Sequence, residues 1–253
     1  MPHKSKAVNG SHIVYNLDLL DTVTECLFDH EKQAAKSESC YRGRGMVLLF
    51  EHEDLELVLK RYHRGGMMSR LIKESYLYMR LNKTRMWREF YLLDKMQDMG
   101  LPVPRPVAAR CQRISPLTYR GDLISEKIPQ SRTLAETICH GPLPDETWNR
   151  VGQVIASFHQ HDIYHADLNA NNILLTPDGK VYLIDFDKSE IRHRLKFRWT
   201  RANLNRLQRS LEKLGRQVPG IYFSEHNWHI LNRAYMKYSA LFDETSAQVP
   251  SRS

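Results

Sequence analysis

Cysteine is scarce in this chain, and what there is lies scattered. Cys26, Cys40, Cys111 and Cys139 are the only four in 253 residues, and no two form C-x-x-C. This spacing argues against a zinc site and against a disulfide framework, so the thiols read as buried or surface groups of a reducing compartment. Long apolar runs are missing as well. No segment approaches the ~20 apolar residues that a spanning helix needs. The opening MPHKSKAVNGSHIVYNLDLL lacks the apolar centre of a signal peptide. The expected location is the cytosol, or a membrane surface reached from the cytosolic side. Internal repeats and low-complexity blocks are also absent.

Acidic residues are in deficit: 29 Asp and Glu stand against 37 Lys and Arg, for a net charge of +8. Such a balance favours an anionic partner, although a merely basic, soluble surface satisfies the same number. No motif for base contact is present, so nucleic acid is not expected. With 42% hydrophobic residues, the chain can bury a core as one large domain or as two lobes.

The patterning points to an α+β protein that changes style along its length. Residues 1–40 read as an N-terminal segment, 41–130 as a β-rich lobe with one helix, and 131–253 as a mainly helical lobe with one hairpin. Met46 to Phe50 is an apolar run. Leu55, Leu57 and Leu59 alternate with polar neighbours across the short connection EHED, and RGG at 64–66 breaks the second strand. TRMWREFYLLDKMQDMG, 84–100, predicts a helix with Thr84 as N-cap and Gly100 just past its end. Its stripe Glu89, Leu92, Leu93 and Met96 places a carboxylate among apolar residues. That carboxylate either finds a cation or sits at the stripe's edge and reaches water. Leu123 to Ile128 predicts a strand. Asp145 opens a helix with an apolar face of Trp148, Val151, Ile155 and Phe158. Two further helices are expected, one carrying Leu204, Leu207, Leu211 and Leu214 and stopping at Gly215, the other following Ser224.

The densest chemistry lies in YHADLNANNILLTPDGKVYLIDFD, 164–187. Two apolar strands flank the turn triplet PDG. A tight hairpin brings the start of one strand beside the end of the other, so Asn172 and Asp185 should meet, with Asp167 close by on the preceding loop. One amide oxygen and one carboxylate suit Mg²⁺, which keeps phosphate and water oxygens as its other ligands. Asp167 then stays free to orient a hydroxyl and accept its proton. Order and spacing follow the protein-kinase pattern H-R-D-x-x-x-x-N and D-F-G, here H-A-D-L-N-A-N-N and D-F-D.

Lys60 ends the strand LVLK in the manner of V-A-I-K, which suits a lysine on the α/β-phosphates of ATP with Glu89 as its helix partner. Gly43 and Gly45, in GRG before the Met46 strand, either cradle phosphates through backbone N–H groups or make an ordinary turn. The strand around Glu126 is expected to line the adenine as the interlobe hinge.

LKRYHRGG, REFYLLDKMQDMGLPVPRPVAAR and YHADLNANNILLTPDGKVYLIDFDKSEIR together resemble the 3-deoxy-D-manno-octulosonic acid (Kdo) kinases of Gram-negative bacteria, from about residue 40 to about residue 240. HADLNANNIL with LIDFDKS carries the likeness, and RYHRGG and GLPVPRP narrow it within the kinase-like superfamily. The resemblance implies a small two-lobed protein-kinase-like fold. It also implies ATP-dependent phosphorylation of a Kdo 4-hydroxyl on a lipid A precursor, at the cytoplasmic face of the inner membrane. By position, Asp167 is the implied base, Asn172 and Asp185 the Mg²⁺ ligands, Lys60 the phosphate-binding group and Glu89 its partner. Heptose kinases and aminoglycoside phosphotransferases share the superfamily, so another small acceptor stays open, as does an idle nucleotide-binding module.

Several departures from protein kinases bear on substrate. Ala166 replaces the arginine of H-R-D, and Asp187 replaces the glycine of D-F-G, where it could serve the metal or hold Lys188. No A-P-E follows, and only 66 residues (188–253) remain after Asp187. That is little for a lobe that grips a protein, so a small or lipid-borne acceptor is expected. RHRLKFRWTR, 192–201, interleaves cations with Leu, Phe and Trp. It suits anionic headgroups at a membrane interface, and equally a solvated basic face. No protein partner can be inferred from the residues.

Overall fold

A computed structural model describes residues 2–34, 40–42, 46–62, 76–77, 80–115, 118–194 and 196–247. Gly43, Gly45 and the RGG at 64–66 lie outside the described residues. The chain divides into two compact units, residues 1–98 with 104–127, and residues 99–103 with 128–253.

The first unit is built on an eight-stranded antiparallel sheet. Its elements are β1 (His3–Val8), β2 (Ser11–Asn16), α1 (His30–Ala34), β3 (Cys40–Arg42), β4 (Met46–His52), β5 (Leu55–Arg61), β6 (Tyr76–Leu77), α2 (Arg85–Asp98), β7 (Pro106–Arg113) and β8 (Thr118–Glu126). The spatial order is β1-β2-β7-β8-β5-β4-β3, with β6 also on β8. Two hairpins turn on pairs of left-handed residues: Asn9 and Gly10 (φ 48° and 78°) between β1 and β2, and Glu53 and Asp54 (48° and 63°) between β4 and β5. Two consecutive positive φ values match the right-handed twist of the strands they join. The connection is thus the pair Glu53–Asp54 rather than all of EHED. A core of Ile13, Leu20, Leu27, Phe28, Leu48, Leu57, Leu59 and Ile124 ties the first 28 residues to the sheet.

Helix α2 lies on β7 and β8 and buries Met86, Phe90, Leu93 and Met96. It approaches closely because residue 121 has no side chain; a Cβ there would sit 1.5 Å from Met86 Cε. Gly100 has φ 71°, as a residue just past a helix end should. The N-terminal cap differs from expectation. The Thr84 hydroxyl donates to the Leu81 carbonyl at 2.6 Å, and the Tyr119 hydroxyl accepts the Arg85 N–H at 3.2 Å. A preceding 3-10 turn, Leu81–Lys83, draws the threonine away from the helix.

The second unit contains β9 (Arg132–Thr133), α3 (Leu134–His140), α4 (Asp145–Gln160), β10 (Ile163–Tyr164), β11 (Ile173–Leu175), β12 (Val181–Leu183), β13 (Glu190–Ile191), α5 (Lys196–Gln217) and α6 (Glu225–Ala247). Trp148, Val151, Ile155 and Phe158 of α4 are all buried. Helix α4 packs along α6 and crosses it at Gly152, where a Cβ would meet the Leu231 carbonyl at 2.2 Å. Gly215 does not stop α5. The helix runs on to Gln217, and the Val218 N–H still bonds the Leu214 carbonyl at 2.9 Å. A single interior glycine costs about 1 kcal/mol against alanine, which the surrounding turns absorb.

Candidate active site

In the first unit, Lys60 is the sixth residue of β5, paired with Val47 on one side and Leu123 on the other. Its ammonium lies 3.0 Å from each carboxylate oxygen of Glu89 on α2. Glu89 is 3% exposed and Lys60 22%. The edge-of-stripe alternative for Glu89 is therefore removed: the carboxylate is buried and paired. Tyr62 donates a second hydrogen bond to Glu89 Oε2, and its ring lies 4.9 Å below the Lys60 ammonium. A buried carboxylate with two donors is a rigid anchor, and it aims the lysine from a fixed point.

A second charged cluster sits one residue along the sheet, where Arg61 pairs with Asp122. Asp122 takes Arg61 Nε at 3.0 Å and Arg110 Nη2 at 2.7 Å, with His30 Nε2 at 3.4 Å. Burial pushes the Asp122 carboxyl up, but the bond from His30 and the charges of Arg110 and Arg61 outweigh it and hold the group below the usual range. Glu126 ends β8. Its N–H donates to the Arg105 carbonyl at 2.9 Å, and its carboxylate accepts Arg105 Nη2 at 2.6 Å. Both of these groups are committed inside the first unit.

In the second unit, the loop from His165 to Asn172 is held by a closed set of hydrogen bonds. The Asp167 N–H donates to His165 Nδ1 at 3.1 Å, so the proton of that ring is on Nε2, which donates to the Ile184 carbonyl at 3.0 Å. The Ile184 N–H in turn donates to the Asn172 carbonyl at 3.0 Å. The side-chain amides of Asn169 and Asn172 both donate to the Asp167 carbonyl, at 2.8 and 2.9 Å. With Nδ2 of Asn172 so engaged, its Oδ1 is the atom available to a cation. Strand register places Ile173 opposite Leu183, so Asn172 and Asp185 flank the same end of the hairpin.

Asp185 itself is exposed and has φ 64°, a left-handed conformation rare for a residue with a Cβ. Phe186, next to it, is fully buried, stacked on Phe158 at 5.7 Å and tilted against His165 at 4.7 Å. The aromatic ring pins the chain while the backbone reversal turns the carboxylate outward. Ser189 completes the brace, its hydroxyl accepting the Ala166 N–H at 3.0 Å.

Helix α5 supplies contacts that the motif alone does not suggest. Asn203 Oδ1 accepts the His165 N–H at 3.2 Å, and its amide donates to the His165 carbonyl at 2.9 Å. Ser210 Oγ accepts the Ala170 N–H at 3.3 Å. Between them, Arg206 places Nε 2.8 Å and Nη2 2.5 Å from Asp167 Oδ1. Asp167 and Arg206 are about half exposed, 50% and 48%. Asn203, Arg206 and Ser210 follow the helical spacing i, i+3, i+7, the one available signal that a single face of α5 serves the loop.

The donor set can be tested against a divalent ion. Among the described residues no three His, Cys, Asp or Glu side chains form a closed cation cage. One amide oxygen and one carboxylate at a hairpin end make an open set. Mg²⁺ fits it, since this ion retains phosphate and water oxygens instead of requiring an all-protein cage.

Known proteins match most of this chain. The lipopolysaccharide kinase (Kdo/WaaP) family model matches residues 28–235. A 3-deoxy-D-manno-octulosonic acid kinase of Vibrio parahaemolyticus is 36% identical over 226 residues, covering 88% of this chain and 92% of the relative. The kinase of the same description in Haemophilus influenzae is 41% identical over 202 residues, covering 77% and 82%. Among solved structures, WaaP in complex with acyl carrier protein aligns with a TM-score of 0.53 at 14% identity, over 88% of this chain and 95% of that one. At that identity the likeness establishes the shared fold.

Proposed function

This chain belongs to the lipopolysaccharide kinase (Kdo/WaaP) family and is a Kdo kinase of lipopolysaccharide core assembly; we propose that it transfers the γ-phosphate of ATP to the 4-hydroxyl of a Kdo sugar on a lipid A precursor. Lys60, aimed by Glu89 and Tyr62, takes the α/β-phosphates. Asn172 Oδ1 and Asp185 would hold Mg²⁺, which when bound neutralises charge on the transferring phosphoryl group. Asp167 accepts a hydrogen bond from the acceptor hydroxyl and sets its oxygen in line with the γ-phosphorus. As the new O–P bond forms and the bridging β–γ O–P bond breaks, the hydroxyl proton passes to the Asp167 carboxylate and ADP leaves. The rate gain comes from placement and charge neutralisation, since phosphoryl transfer asks little covalent chemistry of the protein.

One observation carries this reading: the bonds linking His165, Asp167, Asn172 and Ile184, which hold the base and both candidate ligands on one rigid loop-and-hairpin end. Gly43 and Gly45 as a phosphate cradle and Glu126 as the adenine-lining position remain part of the proposal.

The proposed workplace is the cytoplasmic face of a Gram-negative inner membrane, with the enzyme peripheral to it. Among the described residues no helix is long and apolar enough to cross a membrane. The start of α5 supports surface contact: Phe197 is 76% exposed, beside the exposed cations Lys196, Arg198 and Arg201. A groove of about 670 Å³ between α5 and α6 is lined by Phe197, Leu204, Trp228 and Met236 together with Lys196 and Arg201. Apolar walls with cations suit a lipid-borne anion.

The deciding experiment is incubation of purified protein with Mg²⁺–ATP and Kdo-bearing lipid A precursor, followed by mass spectrometry. One added phosphate, mapped by fragmentation to the Kdo 4-hydroxyl, is the expected result. Phosphate on a heptose, on another hydroxyl or on no acceptor would reject the proposal.

A further inference from the structure

The Asp167–Arg206 pair has a geometry that base catalysis alone does not call for. The two nitrogens Nε and Nη2 converge on one oxygen, Asp167 Oδ1, instead of forking across both. Among the described residues Oδ2 accepts from no other group, which leaves it to a hydroxyl. Among the described residues Arg206 Nη1 makes no hydrogen bond, and both side chains stand half in solvent. The backbone beneath them is not loose: Asn203 and Ser210, one turn to either side of Arg206 on α5, clamp residues 165 and 170 of the loop. A rigid helix face thus presents a guanidinium edge beside Asp167, the group proposed to take the acceptor hydroxyl. The helix around it is strongly cationic. It carries Lys196, Arg198, Arg201, Arg206, Arg209, Lys213 and Arg216 against a single acid, Glu212.

We infer that Arg206 is a specificity-determining residue: it holds Asp167 through Oδ1 and reads the carboxylate of the sugar acid with its outer edge. This rests on the proposed Kdo reaction. A Kdo residue carries its carboxylate a short run of ring carbons from the 4-hydroxyl. One planar guanidinium can therefore bridge the base and the acceptor's own anion, fixing the hydroxyl at Oδ2 by two points. A lysine cannot do both, because its ammonium is a point charge without the fork. A neutral sugar offers nothing to the outer edge and leaves a charge without its partner, which is how a site rejects the wrong acceptor.

The test is a cycle between enzyme and substrate. Wild type, Arg206→Gln and Arg206→Lys are assayed on Kdo-bearing lipid A precursor and on the same lipid with its Kdo carboxylate masked as the methyl ester. Wild type should lose about tenfold or more in kcat/KM on the ester, the effect of one charge-assisted contact. In Arg206→Gln that discrimination should vanish, with KM for the acid raised and kcat lowered. Arg206→Lys should recover part of the acid preference and little of kcat. A melting temperature for each variant separates a misfolded loop from a lost contact. Equal discrimination in wild type and Arg206→Gln overturns the inference, as does a wild type indifferent to the ester. A wild type that phosphorylates neither lipid defeats the proposed function itself.

Discussion

Glu89 and Lys60 meet with both carboxylate oxygens 3.0 Å from the ammonium, and the two ends of this pair are unequally buried. The asymmetry predicts unequal mutants. Lys60→Met strands a carboxylate that is 3% exposed, with the Tyr62 hydroxyl as its remaining donor among the described residues, and should cost about 3–5 kcal/mol. Glu89→Gln leaves an ammonium that can turn to water, so its cost should be smaller. Urea unfolding of the two variants checks the order; a larger loss in Glu89→Gln would contradict it. Both should weaken ATP binding in calorimetry.

Asp167→Ala should lower kcat by about 10²–10⁴, the usual worth of a positioned base. ATP affinity should stay near the wild-type value, because Lys60, Asn172 and Asp185 are untouched. Pre-steady-state binding with a fluorescent nucleotide, alongside turnover, separates the two effects. Loss of nucleotide binding equal to the loss of turnover would mean that the aspartate serves the metal instead.

His159 is buried between Tyr235, whose hydroxyl donates to Nδ1 at 2.9 Å, and Asn203, whose Oδ1 accepts from Nε2 at 3.3 Å. Burial pushes its pKa down to about 3; the Asn203 bond opposes this, while the neighbouring Lys196 and His165 add to it. Above pH 6.5 neither state is protonated and the site is silent. Between pH 6.5 and about 3 the unfolded chain binds a proton that the folded chain refuses. Stability should therefore fall with falling pH in that window, by up to about 1.4 kcal/mol per pH unit from this group. His159→Gln should flatten the slope, as measured by urea melts at stepped pH. An unchanged slope would show that other groups carry it.

Gly121 and Gly152 both permit close approach, yet what each would strike differs. A Cβ at 121 meets the tip of Met86, which can swing aside, so Gly121→Ala should cost about 1–3 kcal/mol. At 152 it meets the Leu231 carbonyl and, at 3.0 Å, the Tyr235 N–H nitrogen. Backbone cannot swing aside, and α4 must part from α6. Gly152→Ala should be the more damaging, despite a helix-propensity gain of about 1 kcal/mol. Thermal melts of the two variants give the comparison directly.

Much of the site was legible because its order along the chain is itself the signal. HADLNANN, the PDG hairpin and DFD are neighbours, and a two-stranded turn has one way to bring its ends together. The β1–β2 hairpin is signalled locally as well, although residues 1–40 read as a plain N-terminal segment: Asn9-Gly10 is the strongest short signal for a turn with two left-handed residues. Other features were not local. Thr84 looks like an N-cap until a 3-10 turn claims its hydroxyl. Gly215 looks like a stop until the turns around it carry the helix through. Cations at 192–201 showed charge and amphipathy, but not that α5 begins at Lys196 and reaches back to the loop.

By itself the sequence determined the α+β class, the hairpin and the identity of the charged groups, since these follow from periodicity, turn chemistry and residue type over short spans. Tertiary structure alone decided that Glu89 is buried on Lys60 rather than wet, that Tyr62 shares it, and that Asn203, Arg206 and Ser210 serve residues some 40 positions away. Those pairings depend on how helices and sheet pack, and packing is settled by the whole core at once, not by any stretch that can be read alone.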